Sequence, residues 1–214
     1  MKSKHSKRTP VRSKRAHRSL ALPDSLAPGL EIVSIGINPS VYSALHGFNF
    51  ARPGNRFWPT FNAADIVPEP LEPGRAAVIK LLRDYRIGFT DIAKRATERA
   101  DELTDEDYRR GALILKRKLL RHQPVIAWFQ GISAFQKYLQ FAEGAKRTVR
   151  PGLQPERIGT TLIFVTPNPS GANPAANPKA LRPWYRELKR LRDRCAASVG
   201  KFRPSAARSR ARRC

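Results

Sequence analysis

Three short runs of the chain, Leu30–Ile37, Pro124–Phe129 and Thr160–Thr166, are almost continuously apolar and rich in β-branched and aromatic residues. Their length and composition mark them as strands buried on both faces. Arg86–Ile92 reads as a further short strand. The intervening sequence carries helical signals: Pro73-Gly74 opens a helix through Tyr85, Gly131–Phe141 is a second, and a capping pair of Thr104 and Asp107 opens a third over residues 105–122. A short helix is expected at Arg56–Ala64, a loop over 143–159 and a last helix over 179–195. Strands that alternate with helices predict an α/β fold, a three-layer α/β/α sandwich with a short, mainly parallel central sheet. Such sheets bind ligands beyond the carboxyl ends of their strands.

Two unusual loops fall at such ends. Gly36-Ile37-Asn38-Pro39-Ser40 follows the first strand, and Thr166-Pro167-Asn168-Pro169-Ser170-Gly171 follows the last. The stretch 38–56 also holds Gly47, Pro53 and Gly54, and a long irregular segment inside a compact domain is usually functional. Both loops should open on one edge of the sheet, which predicts a single site built from segments far apart in sequence.

The chain has 214 residues and a formal net charge of +24. Eight basic residues and no acid fall in residues 1–20, six and no acid in residues 200–214, so residues 21–199 still carry +10. A basic folded body suits a polyanion, with nucleic acid the first candidate. The expected organisation is a basic tail over 1–22, one domain over 23–196 and a second basic tail over 197–214. The N-terminal segment is Arg- and Ser-rich but lacks an apolar helical face, so a DNA-tethering arm is expected rather than a transit peptide. Two cysteines, Cys195 and Cys214, cannot build a four-cysteine zinc or iron–sulfur site and suit a reducing compartment. The four histidines form no metal cluster in sequence, no cofactor or metal is expected, and no apolar run is long enough to span a bilayer.

Gly36-Ile37-Asn38-Pro39, then Ser43-Ala44, then the run Gly47–Trp58 reading GFNFARPGNRFW, resembles the mismatch-specific uracil/thymine DNA glycosylases of the uracil-DNA glycosylase superfamily. Asn168-Pro169-Ser170-Gly171 resembles their second motif, and the resemblance runs from about Leu26 to Asp193. Directly after that motif the chain departs from the family. Ala172, Asn173 and Pro174 stand where a leucine is usual, and Asn173–Asn177 with Trp184 instead resembles the single-strand-selective monofunctional uracil glycosylases.

The resemblance implies an enzyme that flips uracil out of DNA and hydrolyses its bond to the sugar. Asn38 would position the attacking water, and Phe50 would stack on the base. Gly36, Ile37, Ser40, Ser43 and Asn168 would surround the base, with Ser40 in place of the family's glycine hindering the methyl of thymine. Arg52, Ser170, Gly171, Ala172 and Asn173 would meet the DNA backbone or the gap left by the base. Lys146, Arg147 and Arg150 have two readings, a phosphate grip replacing the missing wedge or a solvated basic loop.

Without a leucine wedge, action on U:G, U:A and single strands is expected rather than strict mismatch dependence. No lysine stands out as a Schiff-base nucleophile, so no lyase step is expected. An amide is a poor base, so turnover should be modest. The implied protein is a monomer acting on uracil-containing DNA, cytoplasmic, and at the nucleoid in a bacterium. Three other readings stay open: a glycosylase for other damaged bases, a catalytically inactive DNA-binding protein of the same fold, and a basic RNA- or ribosome-associated protein.

Overall fold

A computed structural model describes residues 20–173 and 177–201. The expected basic tails fall mostly outside the described residues, as does the 174–176 part of the Asn173–Asn177 run. Five strands form one sheet in the order β2-β1-β3-β5-β4: β1 Ile32–Gly36, β2 Ile87–Asp91, β3 Ile126–Gln130, β4 Gly152–Ile158 and β5 Thr161–Thr166. The first three strands are buried at every residue, as their apolar runs require. β1 pairs in parallel with β2 and β3, and β3 with β5.

Six α-helices surround the sheet: α1 Val41–His46, α2 Phe57–Ala63, α3 Arg75–Asp84, α4 Asp105–His122, α5 Ile132–Tyr138 and α6 Pro178–Lys201. Side chains alternate along each strand, so the two sheet faces seed separate cores. On one face Ile32, Phe89, Trp128 and Phe164 meet Phe57 and Phe61 of α2, Leu81 of α3 and Tyr185 of α6. On the other, Val33, Ile35, Phe129 and Val165 meet Leu115 and Leu119 of α4 and Phe135 and Tyr138 of α5. The molecule is thus a three-layer α/β/α sandwich.

Helix ends follow the sequence where caps are strong. Thr104 and Asp107 form the reciprocal capping box that opens α4. α5 runs shorter than its apolar pattern, because the chain widens into a π-helical turn at Leu139–Glu143. α1 forms inside the stretch expected to be irregular, capped by the Ser40 side chain.

The largest difference is β4. Residues 143–159 were expected to be a loop, but Gly152–Ile158 pairs antiparallel with β5 across a turn at Gly159. Its exposure alternates, with Gln154 and Ile158 inward and Leu153, Pro155 and Arg157 outward. Pro155 is tolerated because the strand lies at the sheet edge, where its missing N–H breaks no inner ladder. Polar outward residues and a proline hide such an edge strand from an apolar-run criterion.

The opposite edge is also covered. Ser25 exchanges both backbone hydrogen bonds with Phe89, each 2.9 Å. The described chain packs from its first residues: the Leu20 carbonyl accepts from the Ala96 N–H at 2.9 Å, and Leu22 is buried.

Candidate active site

A cavity of about 550 Å³ opens at the carboxyl edge of the sheet. Both Asn-Pro loops line it, as their strand ends predict. It gathers Gly36, Ile37, Asn38, Ser40, Ser43 and Phe50 from the first motif, with Arg52 at its rim. Asn168, Ser170, Ala172 and Asn173 enter from the second.

Asn38 is held from behind. Its Nδ2 donates to the Thr97 Oγ1 at 2.7 Å, the Arg95 carbonyl at 3.0 Å and the Pro39 carbonyl at 3.2 Å. Carbonyls can only accept, so the amide's NH₂ must face them. Oδ1 is then the atom left for a ligand in the cavity. The supporting segment is itself fixed. Beyond β2 the chain keeps beside the first motif, with Ile92 N–H donating to the Gly36 carbonyl, Ala93 to Ile37 and Thr97 to Pro39. Thr97 Oγ1 passes its own proton to the Arg99 carbonyl at 2.7 Å. The Arg95 guanidinium grips the Asp107 carboxylate at 2.7 Å, and that contact first of all holds Asp107 down at about 2.

Ser40 and Ser43 are partners. The Ser40 Oγ accepts the Ser43 N–H at 3.0 Å as the cap of α1, and lies 3.0 Å from the Ser43 Oγ. The buried Ser43 Oγ also accepts from the Ala51 N–H at 3.1 Å, which ties the helix start to the chain beyond Phe50. Phe50 adopts φ 59°, a left-handed conformation that bulky side chains rarely take. Its ring stacks on Phe57 with centroids 4.1 Å apart, while the residue stays half-buried at the cavity wall. The Trp58 indole N–H anchors the turn by donating to the Asn49 carbonyl at 3.1 Å.

The second loop is closed by its own side chains. Asn168 Oδ1 accepts the Ser170 N–H at 2.9 Å, so this amide keeps Nδ2 for the cavity. Arg56 binds the loop to the first motif: its backbone N–H donates to the Pro169 carbonyl at 2.9 Å and its Nη1 to the Asn173 carbonyl at 2.6 Å. Gly171 packs on Gly54, and a Cβ at 171 would fall 2.8 Å from the Gly54 carbonyl oxygen. Gly171 therefore lies behind the wall rather than in it.

Lys146, Arg147 and Arg150 lie outside the cavity. Arg147 clasps Glu156 of β4 with two contacts of 2.6 Å and donates to the Gln154 Oε1 at 3.0 Å. Lys146 and Arg150 are exposed.

Several lining residues carry no motif in the sequence. Asn49 and Gln130 are buried in the wall, and Asp91 ends β2 beside Gly36. Extending the carboxyl-edge rule from β1 and β5 to β2 is the signal that would have marked Asp91. Among the described residues no three His, Cys, Asp or Glu side chains cluster as a metal site needs, and no helix is long and apolar enough to cross a membrane.

A mainly parallel α/β sandwich with a polar cavity walled by two Asn-Pro loops is an architecture for taking in one small, flat ligand at the sheet's carboxyl edge. The model of the uracil DNA glycosylase superfamily matches residues 23–189, and the chain belongs to that superfamily. The fold is shared with a candidate uracil DNA glycosylase of Methanosarcina acetivorans solved by NMR in solution. That protein is 22% identical, with a TM-score of 0.53 over 80% of this chain and 96% of the other.

Proposed function

We propose that the protein is a monofunctional uracil-DNA glycosylase that works as a monomer and leaves an abasic site for base excision repair. The observation that carries this reading is the polarity of the Asn38 amide. With Nδ2 committed to Thr97 and to two backbone carbonyls, Oδ1 is fixed as an acceptor for water in the cavity.

The base must leave the stack before its glycosidic bond can be reached. It enters the cavity against the Phe50 ring, and the water held by Asn38 attacks C1′ of the deoxyribose. The C1′–N1 bond breaks, and its electron pair leaves with the base as an anion. Asn168 Nδ2 and the backbone N–H groups around Ile37 and Phe50 supply donors to the base oxygens. Such donors matter most where charge develops. The exposed Arg52 and the tight Ser170–Gly171 turn meet the flanking backbone, where phosphate contacts position the strand without reading sequence. Ser40 beside the cavity disfavours the methyl of thymine, and the lack of a leucine wedge allows U:G, U:A and single-stranded uracil alike.

The test is excision from labelled oligonucleotides carrying U:G, U:A, T:G or single-stranded uracil, with alkaline cleavage of the abasic product. Uracil should be removed in all three contexts and thymine poorly. Asn38→Ala should lower the rate by about 100-fold or more, the scale on which a misplaced reacting group costs turnover. DNA binding without excision of any of these bases would overturn the proposal.

A further inference from the structure

Asp91 is the one group in the cavity whose hydrogen bonding does not close. It is the last residue of β2, paired in register with Gly36, and only 5% exposed. Its Oδ2 is buried with no hydrogen-bond partner among the described residues. A buried carboxyl without partners costs stability, and that cost is the mark of a functional position.

The neighbouring charges do not relieve it. Lys94 Nζ stands 4.0 Å from Oδ2 but is bonded at 2.7 Å to Asp24. Asp24 in turn is bonded to Lys118 and Thr90 as well. Room for Asp91 is made by Gly36, since a Cβ there would fall 2.3 Å from Oδ1. A missing side chain at 36 and a carboxyl at 91 thus set an acid beside the motif that carries Asn38. Of the carboxyls that line the cavity, Glu98 and Asp101 are exposed at the rim, and Asp101 is paired with Arg99.

The amide of Asn38 can orient a water but cannot take its proton at neutral pH. We propose that Asp91 is a catalytic base, which removes the proton from the water that Asn38 holds. This rests on the glycosylase reading above. The water oxygen bonds to C1′, the C1′–N1 bond breaks with its electron pair on the departing base, and the water proton passes to the Asp91 carboxylate. The resulting carboxylic acid returns the proton to the base anion or to solvent, so no further reactant is needed.

The electrostatics suit the role. Burial, above all, pushes Asp91 up to about 6, Lys94 and Lys118 pull it down, and Asp24 pushes it up. The remaining charged groups lining the cavity are Arg52, Glu98, Arg99 and Asp101, all exposed. From β3 the cavity receives Gln130, which carries no charge.

The deciding experiment is single-turnover excision of single-stranded uracil by the full chain and by D91N, from about pH 5 to about pH 8.5. The wild-type rate should rise about tenfold per unit of pH up to about 6 and then level off, because only the ionised carboxyl accepts a proton. D91N should lower the plateau by about 10²–10⁴-fold and flatten the profile. Its affinity for an oligonucleotide with a non-cleavable 2′-fluoro-deoxyuridine should match the wild type, showing an intact fold and pocket.

A wild-type rate that is flat with pH overturns the proposal without recourse to a variant. So does a D91N enzyme as fast as the wild type. A slow D91N that keeps the acid limb also overturns it, and assigns the carboxyl to reading the base. A wild type that excises uracil at no pH removes the glycosylase reading itself, an outcome distinct from all of these.

Discussion

The two walls of the cavity begin with the same tripeptide, Asn-Pro-Ser, at 38–40 and 168–170, and use it in opposite senses. At the first loop the Asn amide turns its NH₂ inward and leaves an oxygen for the cavity. At the second the oxygen is turned inward to the Ser170 N–H, which leaves the NH₂. One wall therefore offers an acceptor and the other a donor. The partners make the difference. Asn38 is read by residues 57 and 59 positions away, whereas Asn168 is satisfied two residues on. An acceptor suits a water that must be aimed, and a donor suits a base that departs with negative charge.

The largest effect on this asymmetry should come from Asn168→Asp. The aspartate keeps an oxygen for Ser170 but replaces the donor with negative charge beside the leaving base. Excision should fall about 100-fold, the scale for loss of one donor at a developing anion. The melting temperature should stay near that of the wild type. Equal loss of stability and activity would show that the second amide only shapes its loop.

Thr97→Val is a milder test of the first wall. Asn38 Nδ2 would keep its two carbonyl acceptors and lose the shortest of its three contacts. The amide should keep its polarity but hold the water less firmly, with kcat down about tenfold and KM little changed. An unchanged rate would place the control of Asn38 in the backbone carbonyls alone.

Asp91→Asn should have a smaller effect on stability, of opposite direction to its effect on rate. The folded-state value of about 6 lies above the usual 3.8 of an aspartate. Between these values the folded protein holds the proton more tightly than the unfolded chain, so Asp91 costs stability increasingly as pH rises through the window. The variant should melt higher than the wild type at about pH 8, by up to about 2–3 kcal/mol in stability, with the gain fading towards pH 4. Matched melting curves at the two pH values check this. A variant both slower and more stable would show a carboxyl retained at the expense of the fold.

Much of this architecture was legible in the sequence because burial on both faces leaves strong traces. β1, β3 and β5 are apolar at nearly every position, and the loops after β1 and β5 carry the Asn-Pro signature. β4 was not legible, since an edge strand with Pro155 and charged outward residues looks like a loop. The cavity's contents were legible as residue types but not as orientations. Nothing in Asn-Pro-Ser tells which end of the amide faces inward, because distant partners decide it. Asp91 escaped for a related reason. Its meaning lies in what it lacks, a hydrogen bond for Oδ2, and a missing contact leaves no mark in a sequence.

The Arg56 clamp bears on how the site comes into being. Its side chain joins carbonyls 114 and 117 positions further along the chain, and Gly54 receives Gly171 across a similar distance. Closing so long a loop carries an entropic cost before any contact rewards it, so such contacts are expected late in folding. Sheet and helices can assemble while the two walls stand apart. A chain released from synthesis before the second loop emerges would therefore hold half a pocket, unable to retain a base.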